Sequence, residues 1–239
     1  WIALLMGVAA ALYSSVGHGG ASAYLAIMVL FALPVATIRP TALALNLLVA
    51  GLGTVRYVRA GQFNLRLFLA FAVTAAPFAY LGGTIEVPPE IYRPLVGIVL
   101  WCAALRLLWK PKAMVERPVH APPLSISMPA GAVLGLLAGL TGTGGGIFLS
   151  PLILLLRWEK PRATSRVAAV FILANSAAGL AGNVASLGNV PAEMPLLLAA
   201  VGVGALAGVW LGVRRLPQSA LLQVLGLVLA VAGAKLLLT

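Results

Sequence analysis

Apolar residues run along this chain in long unbroken blocks, and the polar residues gather in short breaks between them. The blocks read as five segments, a to e, at about 1–16, 20–38, 40–58, 65–83 and 91–109. Five more, a′ to e′, follow at about 124–141, 145–156, 163–186, 192–213 and 219–238. Several approach the roughly 20 residues that a helix needs to cross a bilayer. The blocks are continuous rather than alternating, which argues against a membrane β-barrel. The pattern predicts an all-α polytopic membrane protein, with Pro34 expected to kink or end segment b.

Two of the breaks are rich in glycine. One holds Ser14, Ser15, Gly17, His18, Gly19, Gly20 and Ser22; the other holds Thr141, Gly142, Thr143, Gly144, Gly145 and Gly146. Gly17, Gly19 and Gly20 fall on Gly142, Gly144 and Gly145 at a constant spacing of 125 positions. Later landmarks repeat at 129: Asn46 with Asn175, Gly83 with Gly212, Pro88 with Pro217, Gly97 with Gly226. A shared order of this kind predicts a duplication, with a small insertion near the b′–c′ connection. The expected organisation is a first transmembrane repeat at 1–110, a cytoplasmic linker at 111–123 and a second repeat at 124–239. The linker region carries Pro111, Pro118, Pro122 and Pro123.

Composition agrees with a lipid-facing chain: 62% of residues are hydrophobic and 9% charged, against about 25% charged in a soluble domain. The net charge of +11, from 16 Lys and Arg against 5 acids, is scattered between apolar blocks, which excludes a nucleic-acid binder and fits loops beside headgroups. If each glycine break is the tip of a hairpin, the charges sort by side. Arg56, Arg59 and Arg66, then Lys110, Lys112 and Arg117, then Arg157, Lys160, Arg162 and Arg166, then Arg214 and Arg215 share one face. Glu86, Glu90 and Glu193 take the other, with Arg39 and Arg93. Counting each broken pair as one pass destroys this bias. The positive-inside rule therefore selects five passes per half, both termini outside, and a second repeat inverted relative to the first. Segments a, b and b′ are short, so the hairpin tips are expected near the midplane, where exposed backbone must line a polar cavity or be buried in protein. The lone Cys102 lies in an apolar run and reads as a buried, inert thiol. No charged leader precedes the first block, so no signal peptide is predicted.

A helix restarting after a glycine turn presents unpaired N–H groups and the positive end of its dipole, and glycine lets a ligand approach the backbone. The breaks therefore predict an anion site, with hydroxyl donors from Ser14, Ser15, Ser22, Thr141, Thr143 and Ser150 and amide donors from Asn46 and Asn175. The bland alternative is close helix packing by small residues. Two copies, both at short-helix junctions and flanked by hydroxyls, favour the site. Arg39 and Arg166 begin c and c′ and could draw anions to the two mouths, or snorkel to headgroups. The tryptophans read as interface anchors. No Asp occurs and all five Glu fall in connections, which removes a buried carboxylate relay and weakens a cation pump.

The stretch 139–151, with Ala163-Thr164-Ser165 and Asn175-Ser176 after it, resembles the TauE/SafE family of sulfite and organosulfonate exporters. Gly17-His18-Gly19-Gly20 followed by Pro40 to Asn46 is similar but weaker. The resemblance implies a multi-pass permease of the cell (inner) membrane for small sulfur oxyanions or sulfonates. His18 stands where the second copy has Thr143, and Ala21 where it has Gly146, so the halves differ chemically. His18 could bind the anion when protonated or carry a coupled proton; a neutral histidine bonded at a helix junction is the other reading. The function expected is secondary transport, outward, of a small sulfur-containing anion held between the breaks and moved by alternating access. The rivals are an anion channel using the same hairpins and a non-transporting scaffold. No catalytic constellation, cofactor or metal is predicted. The partners expected are the anionic substrate and the lipid bilayer, with proton coupling and oligomeric state open.

Overall fold

The computed structural model describes residues 1–15, 19–59, 61, 63–108, 119–212 and 219–238. Among them the chain is helical: α1 (Ile2–Ser15), α2 (Ala21–Leu30), α3 (Val35–Arg59), α4 (Leu65–Thr84), α5 (Pro89–Leu108), α6 (Leu124–Thr141), α7 (Gly146–Leu155), α8 (Pro161–Gly182), α9 (Met194–Gly212) and α10 (Ser219–Leu238). Four helices carry spans long and apolar enough to cross a bilayer: Val35–Arg56, Leu65–Thr84, Leu124–Thr141 and Ala163–Gly182. Most of the linker and its basic residues, together with Arg214 and Arg215, lie outside the described residues.

The short helices end in the same way. Ala32 and Arg157, 125 positions apart, take left-handed conformations at φ +55° and +57°. The next N–H groups, of Leu33 and Trp158, bond back to Met28 and Ile153 at 3.0 and 2.9 Å. This closure satisfies the last carbonyls with backbone alone. It ends α2 at Leu30, well before Pro34, and α3 starts at Val35 with Pro40 inside it, earlier than expected. A 3-10 turn, Val184–Asn189, also replaces the expected end of c′.

Both broken pairs are hairpins. Trp1 and Leu33, the outer ends of α1 and α2, line one hollow together with Pro191 and Glu193. The far ends of α6 and α7 are tied where the His120 N–H donates to the Arg157 carbonyl at 3.2 Å. Asn64 donates to Glu159 at 2.7 Å, bringing the α3–α4 and α7–α8 connections onto this second, basic face.

Glycine sets the helix packing. On α6, Gly131, Gly135 and Gly139 recur every four residues, and a Cβ on any of them would overlap the carbonyl oxygen of Phe71, Ala75 or Ala79 on α4. On α9, Gly204 and Gly208 meet Gly7 and Ala11 of α1 in the same way. Both pairs run parallel. By contrast α3 runs antiparallel to α8, with Leu43 near Gly179, Asn46 near Ser176 and Gly51 near Leu173. The α5–α10 pair is antiparallel too, Gly97 meeting Leu237 and Gly233 meeting Trp101. Small residues at such seams let backbones touch without a hydrophobic driving force. Gly135→Ala should force α4 and α6 apart at a cost of about 1–3 kcal/mol. In detergent the unfolding midpoint should fall by roughly 5 °C, since about 2–4 °C accompanies each kcal/mol in chains of this size. An unchanged midpoint would show that the seam is loose.

The exterior is apolar, with Leu4, Val8, Val73, Ile98, Val133, Val203 and Val231 exposed. Two expectations fail here. Cys102 is exposed on α5 rather than buried. Trp158 anchors no interface, being 5% exposed and packed on Phe71 at a centroid distance of 5.8 Å.

Candidate functional site

The second break is a turn of three left-handed glycines. Gly142 closes α6 at φ +85°, its N–H on the Ala138 carbonyl at 2.9 Å. Gly144 and Gly145 follow at +71° and +77°, and Gly145 opens α7 with no side chain capping it. A run of this kind is accessible only to residues without a Cβ penalty. The hydroxyls of Thr141 and Thr143 stand 3.0 Å apart, and Thr141 also donates to the Leu137 carbonyl at 2.6 Å. One turn into α7, the buried Ser150 hydroxyl has no partner.

The first break differs. Ser15 ends α1 and turns its hydroxyl back on the Leu12 carbonyl at 2.6 Å. Gly20 precedes α2 at φ −101°, outside the left-handed region. Buried Ser22 pairs with the Tyr13 hydroxyl at 2.7 Å, which ties α2 to α1, and Ser14 is buried as well. Gly17 and His18 lie outside the described residues. Both α2 and α7 have 10 residues. At about 1.5 Å per residue each covers about 15 Å, half of a hydrocarbon core about 30 Å thick.

The two tips converge on one side chain. Asn46, fully buried on α3, donates from Nδ2 to Ser176 Oγ on α8 at 2.8 Å. A Cβ on Gly19 would overlap its Oδ1, and a Cβ on Gly144 would overlap its Nδ2 and come within 2.8 Å of Ser176 Oγ. Backbone from both hairpins thus lies against the same amide, whose Oδ1 has no hydrogen-bond partner. Asn175 is also fully buried, and both of its amide atoms lack partners. At the repeat spacing of 129, Leu47 stands where the second half has Ser176, the residue whose hydroxyl Asn46 uses. Orphaned buried amides cost about 1–3 kcal/mol each and are rare without a purpose. Of these atoms Asn175 Nδ2 is a donor, while the Oδ1 atoms of Asn46 and Asn175 are acceptors that call for a donor.

The arginines do different work. Arg39 is 7% exposed and closes the end of α4, donating to the carbonyls of Ile85 at 2.8 Å, Gly82 at 2.6 Å and Gly83. Its own carbonyl lies 3.2 Å from where a Cβ on Gly142 would stand. Arg166 is half-buried with its guanidinium against Gly61 on the basic face. Beside Arg39 a cavity of about 310 Å³ opens to the acidic face, lined also by Pro40, Glu86, Tyr92 and Asn183. Tyr92 connects it to the second break by donating to the Thr141 carbonyl at 3.1 Å. Of Tyr13, Tyr92 and Ser176, only Ser176, beside Asn175, carries a signal in the sequence.

Helices throughout the described residues, an apolar exterior and a polar centre between glycine turns make this a multi-pass helical membrane protein. The sequence profile described as Sulfite exporter TauE/SafE matches residues 2–236, and the chain belongs to the TauE/SafE family. It is 38% identical over 239 residues to the Probable membrane transporter protein y4hK of Sinorhizobium fredii, covering 99% of this chain and 97% of that one. No solved structure matches.

Proposed function

We propose that this protein is a secondary transporter, an exporter of a small sulfur-containing anion such as sulfite or an organosulfonate, and that the anion binds where the two glycine breaks meet. The meeting of Gly19 and Gly144 on the Asn46 amide carries this reading. The donors we assign to the anion are neutral: the start of α7, the hydroxyl of Ser176, and the amides of Asn46 and Asn175. Neutral donors can release an anion as readily as they take it. Family membership and the printed name of the Sinorhizobium relative support transport.

We read the halves as inverted repeats. Parallel α1–α9 and α4–α6 pairs with antiparallel α3–α8 and α5–α10 pairs are what a two-fold axis in the membrane plane produces. With the basic face cytoplasmic, rocking one repeat against the other would open the tips to each face in turn. The cavity beside Arg39 is then the outer path, and an inside-negative potential drives the anion outward.

Counterflow in sealed proteoliposomes tests this. Internal unlabelled sulfite should drive labelled sulfite uphill, transiently, as only a carrier can. Labelled anion that merely equilibrates indicates a channel, and no specific flux indicates a scaffold. Asn175→Leu separates binding from packing. Removing an orphaned amide should leave the unfolding midpoint unchanged or raise it, while anion affinity falls about tenfold, the equivalent of about 1.4 kcal/mol. A variant that loses stability and keeps its affinity would make Asn175 structural.

A further inference from the structure

One apolar side chain is shared by both hairpin tips. Ile172, on α8 one turn before Ser176, is 2% exposed. Its Cγ2 lies 3.2 Å from where a Cβ on Gly19 would stand and 3.0 Å from the corresponding point on Gly144. Its Cγ1 and Cδ1 would be overlapped by a Cβ on Gly146. Three glycines from two hairpins therefore rest on one sec-butyl group, with the Asn46 amide and the Ser176 hydroxyl beside it.

We propose that Ile172 sets the size of the anion admitted. The oxyanion head lies against the amide and the hydroxyl, and the room left for anything attached to sulfur is what Ile172 does not fill. This rests on the reading of the breaks as the anion site and adds the residue that chooses among its substrates. Glycine at 146 belongs to the same device. The first half has Ala21 at the matching position, so an alanine fits the hairpin as such, and Ile172 is what excludes it from the second.

The physical basis is the value of a methylene in an apolar pocket, about 10–200-fold in discrimination. Ile172→Val removes one at the floor; Gly146→Ala adds one against it. Counterflow would be measured for sulfite, methanesulfonate and propanesulfonate with the wild type, both single variants and the double variant. Ile172→Val should shift the propanesulfonate-to-sulfite ratio about tenfold toward the longer anion, and Gly146→Ala should shift it the other way. The double variant should return near the wild-type ratio, which a general loss of folding cannot produce. Ratios that stay constant while all fluxes change together overturn the size role and leave the anion site standing. A wild type that moves and binds none of the three anions brings down the site, and the size role with it.

Discussion

Gly144→Ala is expected to abolish measurable anion flux while leaving a folded protein. Two separate costs meet at this position. An L-residue at φ +71° pays about 1–2 kcal/mol for the left-handed conformation. The new methyl would also overlap Asn46 Nδ2 and stand 2.8 Å from Ser176 Oγ, within the one hydrogen bond that organises the centre. Relief comes if the Asn46 amide leaves Ser176 or if the tip of α7 backs away, and either change removes donors from the site. A loss of about 2–3 kcal/mol of binding corresponds to roughly 30–150-fold in affinity. The matching substitution in the first half, Gly19→Ala, meets Asn46 Oδ1 and Ile172. It should reduce flux as well, because relief again requires the Asn46 amide to move. Thermal unfolding of both variants in detergent checks the fold, and proteoliposome uptake checks the function. If Gly144→Ala transports normally, the second break is packing alone and the anion site is elsewhere.

Much of the fold was legible because lipid makes sequence simple. Where polar residues bound an apolar block on both sides, the helix and the block coincide, as at 124–141 and 219–238. The boundary went wrong at α2, where Pro34 drew attention and Ala32 ended the helix. That ending uses backbone N–H groups on backbone carbonyls, so it needs no glycine or asparagine to announce it. The site was half visible for a similar reason. Glycines and asparagines inside apolar blocks are anomalies and can be picked out, as Asn46 and Gly144 were. Ile172 cannot, because an isoleucine in an apolar helix has no local signature; only the approach of Gly19 and Gly146 from distant hairpins marks it. Asn46 and Asn175 looked equivalent by spacing, yet one amide is bonded and the other not.

Arg39→Met should destabilise the protein more than any other single change outside the glycine seams. A terminal arginine on a spanning helix usually reaches for headgroups. Here the guanidinium turns inward and supplies donors to the carbonyls of Gly82, Gly83 and Ile85, which end α4 without partners of their own kind. Taking it away strands those acceptors at about 1–3 kcal/mol each. The adjacent cavity of about 310 Å³ can hydrate some of them, so a net loss of about 2–4 kcal/mol and a midpoint lower by roughly 5–10 °C are expected. Arg39→Lys discriminates the two roles that the position suggests. Lysine keeps the charge but has one nitrogen where arginine offers a planar fork. If the residue only draws anions to the outer mouth, lysine restores uptake and methionine leaves the midpoint untouched. If it is the closure of α4, lysine recovers part of the midpoint at most. Uptake should then follow the same order, because the Arg39 backbone braces Gly142 and any shift of α3 is passed to the second break. The expected outcome is the second. Equal stability of Arg39→Met and the parent would return Arg39 to the role of a surface charge.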